Sequence, residues 1–375
     1  MRQVSGDGSF LRRLNQVAVL RALRETDGAT LAELARGAQL SRATTEGIVE
    51  TLLQEGRAEE AEPTEGQRGR PARRFAFRAA SGHVAGVSIG GSGVTGMVAD
   101  LGGRVVARRV ENLPPEAPAA ERLSAAAELV ERVCAEAGLT PDRLSAVGVG
   151  TTGVIDGDGR VVKSVVLSDW TGVPLQEELG RRLPGPVLVE NDMRLAVLSE
   201  HWRGAARGRQ HVLYLHTGSR IGLGLLLGGV PYRGAHAAAG ELGGHPNSRW
   251  RAFTHVLDYA MAVEPGELRA PSQAALFAVA RARAGDEGAA RAVEAFAVGL
   301  AEGLVSLVTP LDPELVVIGG SLAQAGELLL DPIRRCLAET CLFPPEVVTS
   351  ELGADSVCLG AVRHALTHAE QVLLG

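Results

Sequence analysis

The hydrophobic rhythm of this chain changes once, near residue 81, and that change limits the fold more than any single motif. Before it, Leu11, Leu14, Val17, Leu20 and Leu23 recur about one helical turn apart and predict a helix with an apolar stripe. Asp27-Gly28 predicts its stop, and Thr30 with Glu33 three residues later predicts a capping box for a second helix that turns Leu31, Leu34 and Ala35 inward. Gly37-Ala38-Gln39-Leu40 reads as a turn and Ser41 as the cap of a third helix, with Ile48, Val49, Leu52 and Leu53 inside and Arg42, Thr44 and Thr45 outside. After residue 81 the strand-like runs VAGVSI, VTGMVAD and VVARRV are joined by glycine-rich turns. A helix over 119–138, the strands LSAVGVG, PVLVEN, HVLYLH and ELVVIGG, and a long helix near 288–308 follow. This alternation predicts an α/β body of two repeated lobes rather than one parallel sheet.

A chain of 375 residues, 45% hydrophobic and 22% charged, has apolar material for two or three folding units and too much for wholesale disorder. Its net charge of -6 excludes a uniformly basic nucleic-acid coat, but residues 1–80 carry 13 Arg against 11 Asp and Glu and leave the acid excess to the body. Lys163 is the only lysine, which excludes chemistry that needs two and leaves arginine to bind anions. The four cysteines, Cys134, Cys336, Cys341 and Cys358, are dispersed, no apolar run reaches 18 residues, and the N-terminus lacks a signal-like segment. A reduced, cytoplasmic protein with no membrane partner is expected.

Three short helices followed by RGRPARRFAFR match a winged helix-turn-helix, expected over residues 9–80. A helix fits the major groove, and an arginine-bearing hairpin can follow the backbone or the minor groove. Ser41, Arg42, Ala43, Thr44 and Thr45 are the expected groove-facing residues, with Arg68, Arg70 and Arg73 on the wing. Glu46 weakens the electrostatic case, although a carboxylate can accept from cytosine, and Gly47 costs about 1 kcal/mol of helix propensity relative to Ala. A trihelical packing or dimerisation module is the competing reading.

At this level of detail the chain resembles the ROK family of bacterial repressors and sugar kinases, in its longer regulator branch. The front carries SRATTEGIVETLLQEG (41–56) and GRPARRF (69–75); the back carries VSIGGSGV (87–94), VENDM (189–193), GELGGH (240–245) and LDPELVVIGG (311–320). The resemblance implies a two-lobed, actin-like (ribonuclease H-like) sugar-kinase fold over 82–375. It also implies that Asn191 and Asp192 contact a sugar, with Asp192 matching the kinases' general base, and that Glu241 and His245 serve the same pocket. GELGGH has one glycine more than the family's GExGH, so His245 is the less firmly placed of the two.

Several family positions are altered. Ser88 stands where the kinases' first phosphate segment carries an acid, and Arg220 stands where the second phosphate turn needs a glycine. Val166 replaces a sugar-contacting asparagine, and PNSRWRAFTHVLDYA replaces the segment that supplies three zinc-binding cysteines, so no cofactor or metal is expected. His255 lacks a cysteine partner nearby and reads as a helix histidine, while Trp170 is open between stacking on a sugar and packing in the core. The resulting expectation is a DNA-binding transcriptional regulator of repressor type, not an enzyme. Its partners would be a palindromic operator and a carbohydrate-related effector, and its assembly a homodimer or homotetramer. An ATP-dependent sugar kinase and a ligand-independent repressor with a relic pocket are the alternatives.

Overall fold

The computed structural model describes residues 8–62, 72–167, 169–218, 220–242, 250, 253–267 and 270–374. The front unit consists of α1 (Gly8–Arg24), β1 (Ala29–Thr30), α2 (Leu31–Gly37), α3 (Arg42–Gln54), β2 (Ala58–Ala61) and β3 (Arg74–Phe77). Its core is Leu20, Leu23, Leu34, Val49, Leu52 and Phe75 with smaller neighbours, so three helices and a small sheet share one apolar centre. The sheet runs β1-β3-β2, with β3 antiparallel to both partners. The expected apolar stripe of α1 is half realised: Val17, Leu20 and Leu23 are buried, whereas Leu11 and Leu14 are exposed because the neighbouring helices do not cover the first two turns.

The predicted corners form where the sequence places them. Thr30 and Glu33 make the reciprocal capping box, the Thr30 amide donating to the Glu33 carboxylate at 2.8 Å and the Glu33 amide to the Thr30 hydroxyl at 3.3 Å. These bonds, first of all the one from the Thr30 backbone, hold the Glu33 carboxyl below its ordinary pKa. Gln39 closes the turn in the left-handed region, at φ 56°.

The body contains two five-stranded sheets. The first has the order β10-β7-β4-β5-β6, built from β4 (His83–Gly90), β5 (Gly93–Asp100), β6 (Val105–Asn112), β7 (Leu144–Thr151) and β10 (Val187–Asn191). α4 (Ala119–Glu136), the short pair β8 (Val154–Ile155) and β9 (Val161–Lys163), and α5 (Leu175–Gly180) complete that lobe, α4 and α5 sharing one core with the sheet. α6 (Asp192–Arg203) leads to the second sheet, ordered β13-β12-β11-β14-β15: β11 (Val212–Thr217), β12 (Ile221–Leu227), β13 (Val230–Pro231), β14 (Leu315–Gly319) and β15 (Glu346–Thr349). One face of this sheet is covered by α7 (Phe253–Val263), α8 (Pro271–Arg283), α9 (Glu287–Leu311) and α10 (Glu327–Thr340). α9 is long and apolar enough to cross a membrane, but Val293, Phe296, Leu300, Leu304 and Val308 are core residues here.

α6 packs on the inner face of the second sheet and α11 (Ser356–Leu374) on the inner face of the first, and the two helices lie against each other. Their contact is the seam between the lobes. It permits close approach because Gly360 sits on the α6 backbone, where an added Cβ would lie 2.0 Å from the Leu195 carbonyl oxygen. α11 also meets the front unit. Arg24 of α1 donates to the Glu370 carboxylate at 2.7 Å and to the Leu101 carbonyl at 3.2 Å, and its guanidinium lies 5.4 Å from the centre of the Phe77 ring. Arg363 shares Glu370 at 2.9 Å.

Candidate nucleic-acid interface and effector pocket

The third helix starts as its sequence dictates. The Ser41 hydroxyl accepts from the Thr44 amide at 3.1 Å and lies 2.8 Å from the Thr44 hydroxyl, satisfying a first-turn donor that has no helical partner. Ser41, Arg42, Ala43 and Thr44 are exposed, as expected. Thr45 is not: it is fully buried, and its hydroxyl donates back to the Ser41 carbonyl at 3.0 Å, because the 100° step of the helix turns it toward the core beside Ile48 and Val49. Thr45 is therefore removed from the groove-facing set. The exposed face continues through Glu46, Gly47 and Glu50, residues the sequence had set against DNA binding or left out.

Beside α3 stands the β2-β3 hairpin. Arg68 and Arg70 lie outside the described residues. Arg73 is exposed, pairs with Glu60 and lies over the Phe75 ring; that hydrogen bond first, then the charges of Glu60, Glu50 and Glu46, raise its pKa. Arg78 faces Glu59 at 3.9 Å and Arg74 faces Glu33 at 3.9 Å. The described base of the wing is thus charge-balanced by its own acids, and exposed pairs of this kind are exchanged for phosphate at little cost.

The second corner is the β10–α6 junction. The Asn191 side-chain oxygen accepts from the Met193 and Arg194 amides at 2.9 and 3.1 Å, and its amide nitrogen donates to the Gly153 carbonyl at 3.0 Å. Cap and loop tie occupy this side chain. Asp192, half-buried next to it, has its carboxyl pushed up to about 7, first by desolvation and further by the charge of Glu241, against the pull of the Met193 amide and Arg194. Desolvation also raises Glu241, whose residue is otherwise exposed. Its position depends on Gly240, at φ +89°, where an added Cβ would lie 2.2 Å from the Leu223 carbonyl oxygen.

An ion cluster holds this corner from behind. Glu190 accepts from the Arg194 Nε at 2.7 Å and from the Arg233 Nε at 2.8 Å, joining the end of the first sheet to the segment after β13. Arg194 also donates through Nη1 to Ala237, a residue strained at φ 54°, while its Nη2 has no partner among the described residues. His364 of α11 faces the same Glu190–Arg233 pair, and burial lowers its pKa. No sequence motif announced Glu190, Arg194 and Arg233 as a unit. The i,i+4 spacing of Glu190 and Arg194 across the α6 start was the available signal.

One expected site residue does not join the corner. Trp170 is completely buried, packs with the first-lobe core and donates its indole N–H to the Thr151 hydroxyl at 3.0 Å. The expectation of a sugar-stacking face is corrected to a core role, since neither face of the ring reaches solvent. His245 lies outside the described residues. Val166 is half-buried against the same core as Trp170, and Ser88 sits in β4 between Thr95 and Gly150. Arg220 is exposed at the β11–β12 turn, where its carbonyl accepts from the Gly218 amide at 3.2 Å, and His255 is exposed on α7. The donor set does not fit the family's structural zinc, because the sequence has no cysteine between Cys134 and Cys336.

The comparisons with known proteins agree with this anatomy. The ROK family pattern matches residues 84–253 and 261–368, and that of the IclR helix-turn-helix domain matches residues 15–61. The xylose repressor of Bacillus subtilis (strain 168) is 21% identical over 378 residues, covering 96% of this chain and 97% of the relative. The glucokinase of Thermotoga maritima is 31% identical over 250 residues, covering 57% of this chain and 77% of its own. Among solved structures, a ROK family transcriptional regulator, a homolog of the E. coli MLC protein, superposes with TM-score 0.77 at 20% identity over 97% of this chain and 99% of its own. A ROK hexokinase from Thermus thermophilus matches 77% of this chain and 99% of its own, with TM-score 0.63 and 29% identity. These two kinases thus match 57% and 77% of the chain, whereas the repressor and the regulator match 96% and 97% of it. The chain belongs to the ROK family and carries an IclR-type helix-turn-helix ahead of its two-lobed body.

Proposed function

We propose that this protein is a cytoplasmic, DNA-binding transcriptional regulator of repressor type, whose body senses a carbohydrate-related molecule and transmits its binding to the reader. The observation that carries this reading is the exposed first turn of α3, where Ser41, Arg42, Ala43 and Thr44 stand clear of the helix-turn-helix core beside an arginine-bearing hairpin. A symmetric dimer or tetramer would present two such helices to a palindromic operator. Wing residues Arg68, Arg70 and Arg73 supply phosphate or minor-groove contacts. The effector would bind at Asp192 and Glu241 beside the Asn191 cap, and His245, outside the described residues, is a further expected contact. Binding there changes operator affinity only through a difference between two states of the molecule. The α6–α11 seam, tied to α1 through Glu370 and Arg24, is the element both sites bias.

Capture of genomic binding sites followed by footprinting tests the DNA reading. Arg70→Ala weakens binding and reduces its salt dependence; affinity unchanged across salt concentrations rules that residue out as a contact. For sensing, a sugar or sugar phosphate that raises the body's melting temperature and alters operator affinity supports the reading. Stabilisation by no member of such a library supports a ligand-independent repressor instead.

A second reading, an ATP-dependent sugar kinase, is favoured by Asp192, whose carboxyl near pH 7 suits a general base. Ser88 opposes it, because a hydroxyl replaces the metal-site carboxylate, and Arg220 puts a side chain on the phosphate turn. No cofactor or metal is assigned. ATP-dependent sugar phosphorylation that disappears in Asp192→Asn would establish this second reading.

A further inference from the structure

The middle of α3 contains a residue that nothing among the described residues explains. Gly47 lies in the interior of a thirteen-residue helix, has no positive φ and is exposed; a Cβ added there meets nothing within 4 Å among the described residues. Neither backbone conformation nor internal packing requires glycine, although glycine weakens the helix it sits in. The open space lies outside the chain, in a groove between α1 and α3 bordered by Leu11, Asn15, Ala43, Thr44, Gly47 and Thr51. On the other flank of the same exposed face stand the carboxylates of Glu46 and Glu50, turned toward the wing. Two carboxylates repel phosphate, so this part of the face is suited to base edges, where exocyclic amino groups donate.

We propose that Gly47 is a specificity-determining position that lets α3 approach one base pair closely, so that the neighbouring Glu46 accepts a hydrogen bond from the N4 amino group of a cytosine in the major groove. This inference rests on the DNA-binding reading and names the base that reading leaves open. Non-specific affinity comes from arginine–phosphate contacts elsewhere and does not depend on Gly47. The added methyl of Gly47→Ala costs the protein nothing internally and obstructs only the partner.

The test uses the full-length chain, a random duplex library to select the preferred sequence, and titrations against that duplex and a scrambled one. Gly47→Ala is expected to melt at the same or a higher temperature than the parent, to bind the selected duplex at least tenfold more weakly, and to bind the scrambled duplex unchanged. Glu46→Gln is expected to lose the preference for cytosine at one position in each half-site while keeping the others. Both variants selecting the parental sequence with parental affinity would overturn the inference and leave the regulator reading standing. A parent chain that enriches no sequence overturns both, and a Gly47→Ala chain that melts lower shows a structural role for Gly47 and overturns the steric argument.

Discussion

Two helices of this molecule begin in nearly the same way and end in opposite surroundings. Ser41 caps α3 and Asn191 caps α6, each accepting first-turn amides through a side-chain oxygen. At α3 the next three residues, Arg42, Ala43 and Thr44, remain exposed. At α6 the flanks are Glu190, Arg194 and Gly153, and the whole corner is braced by buried ions and a loop from the second lobe. An open corner of this kind fits a large, flat, polyanionic partner that brings its own polar groups. The α6 corner is instead a largely satisfied wall, in which even Asp192 accepts from the Met193 amide at 2.9 Å while Glu241 stands exposed beside it.

If the α6 corner belongs to a rigid core, the largest effect comes from Trp170. Trp170→Ala is expected to cost about 3–5 kcal/mol of body stability, read by denaturant unfolding, because a fully buried indole and its hydrogen bond are lost. A stable variant that merely lost ligand binding would return Trp170 to the pocket. Asn191→Ala comes next, at about 1–3 kcal/mol, since two helix amides and the Gly153 carbonyl lose a partner.

Asp192 sharpens the contrast through pH. Its folded carboxyl titrates near 7, above the ordinary carboxylate value, so between about pH 4 and pH 7 the folded state holds a proton that the unfolded state has released. The stability this group permits is therefore full below about pH 4 and falls as the pH rises toward 7. Asp192→Asn, which cannot ionise, is expected to melt above the parent at pH 8, by at most the roughly 4 kcal/mol that three pKa units represent, and level with it at pH 4. A pH-independent difference would show that the carboxyl is well hydrated.

The exposed corner gives the smallest effect on folding. Ser41→Ala is expected to cost the front unit only about 1 kcal/mol, with the loss appearing in both its melting and its DNA affinity. A loss confined to affinity would make the Ser41 hydroxyl a DNA contact rather than a cap.

Much of this arrangement was readable from the chain. The capping box of Thr30 and Glu33, the Ser41 cap and the glycine-linked hairpins of β4, β5 and β6 are local, encoded within a few residues, and they formed where the sequence placed them. Helical period alone did not tell that Thr45 turns inward, since an exposed N-terminal turn and a buried next residue differ by one 100° step whose phase is set by the core. Nor did it tell that Leu11 and Leu14 emerge from that core, because this depends on how far the other helices extend along α1.

The sequence by itself determined the helix caps, the change from helical to α/β rhythm and the absence of cysteines from the middle of the chain, because each is a property of neighbouring residues or of composition. Only the tertiary structure decided that Trp170 is a core residue, that Glu190, Arg194 and Arg233 converge behind Asp192, and that Arg24 reaches Glu370 across the chain. Those relations join residues up to 346 positions apart, and burial and charge pairing at such separations are set by how the packed layers meet rather than by any local preference.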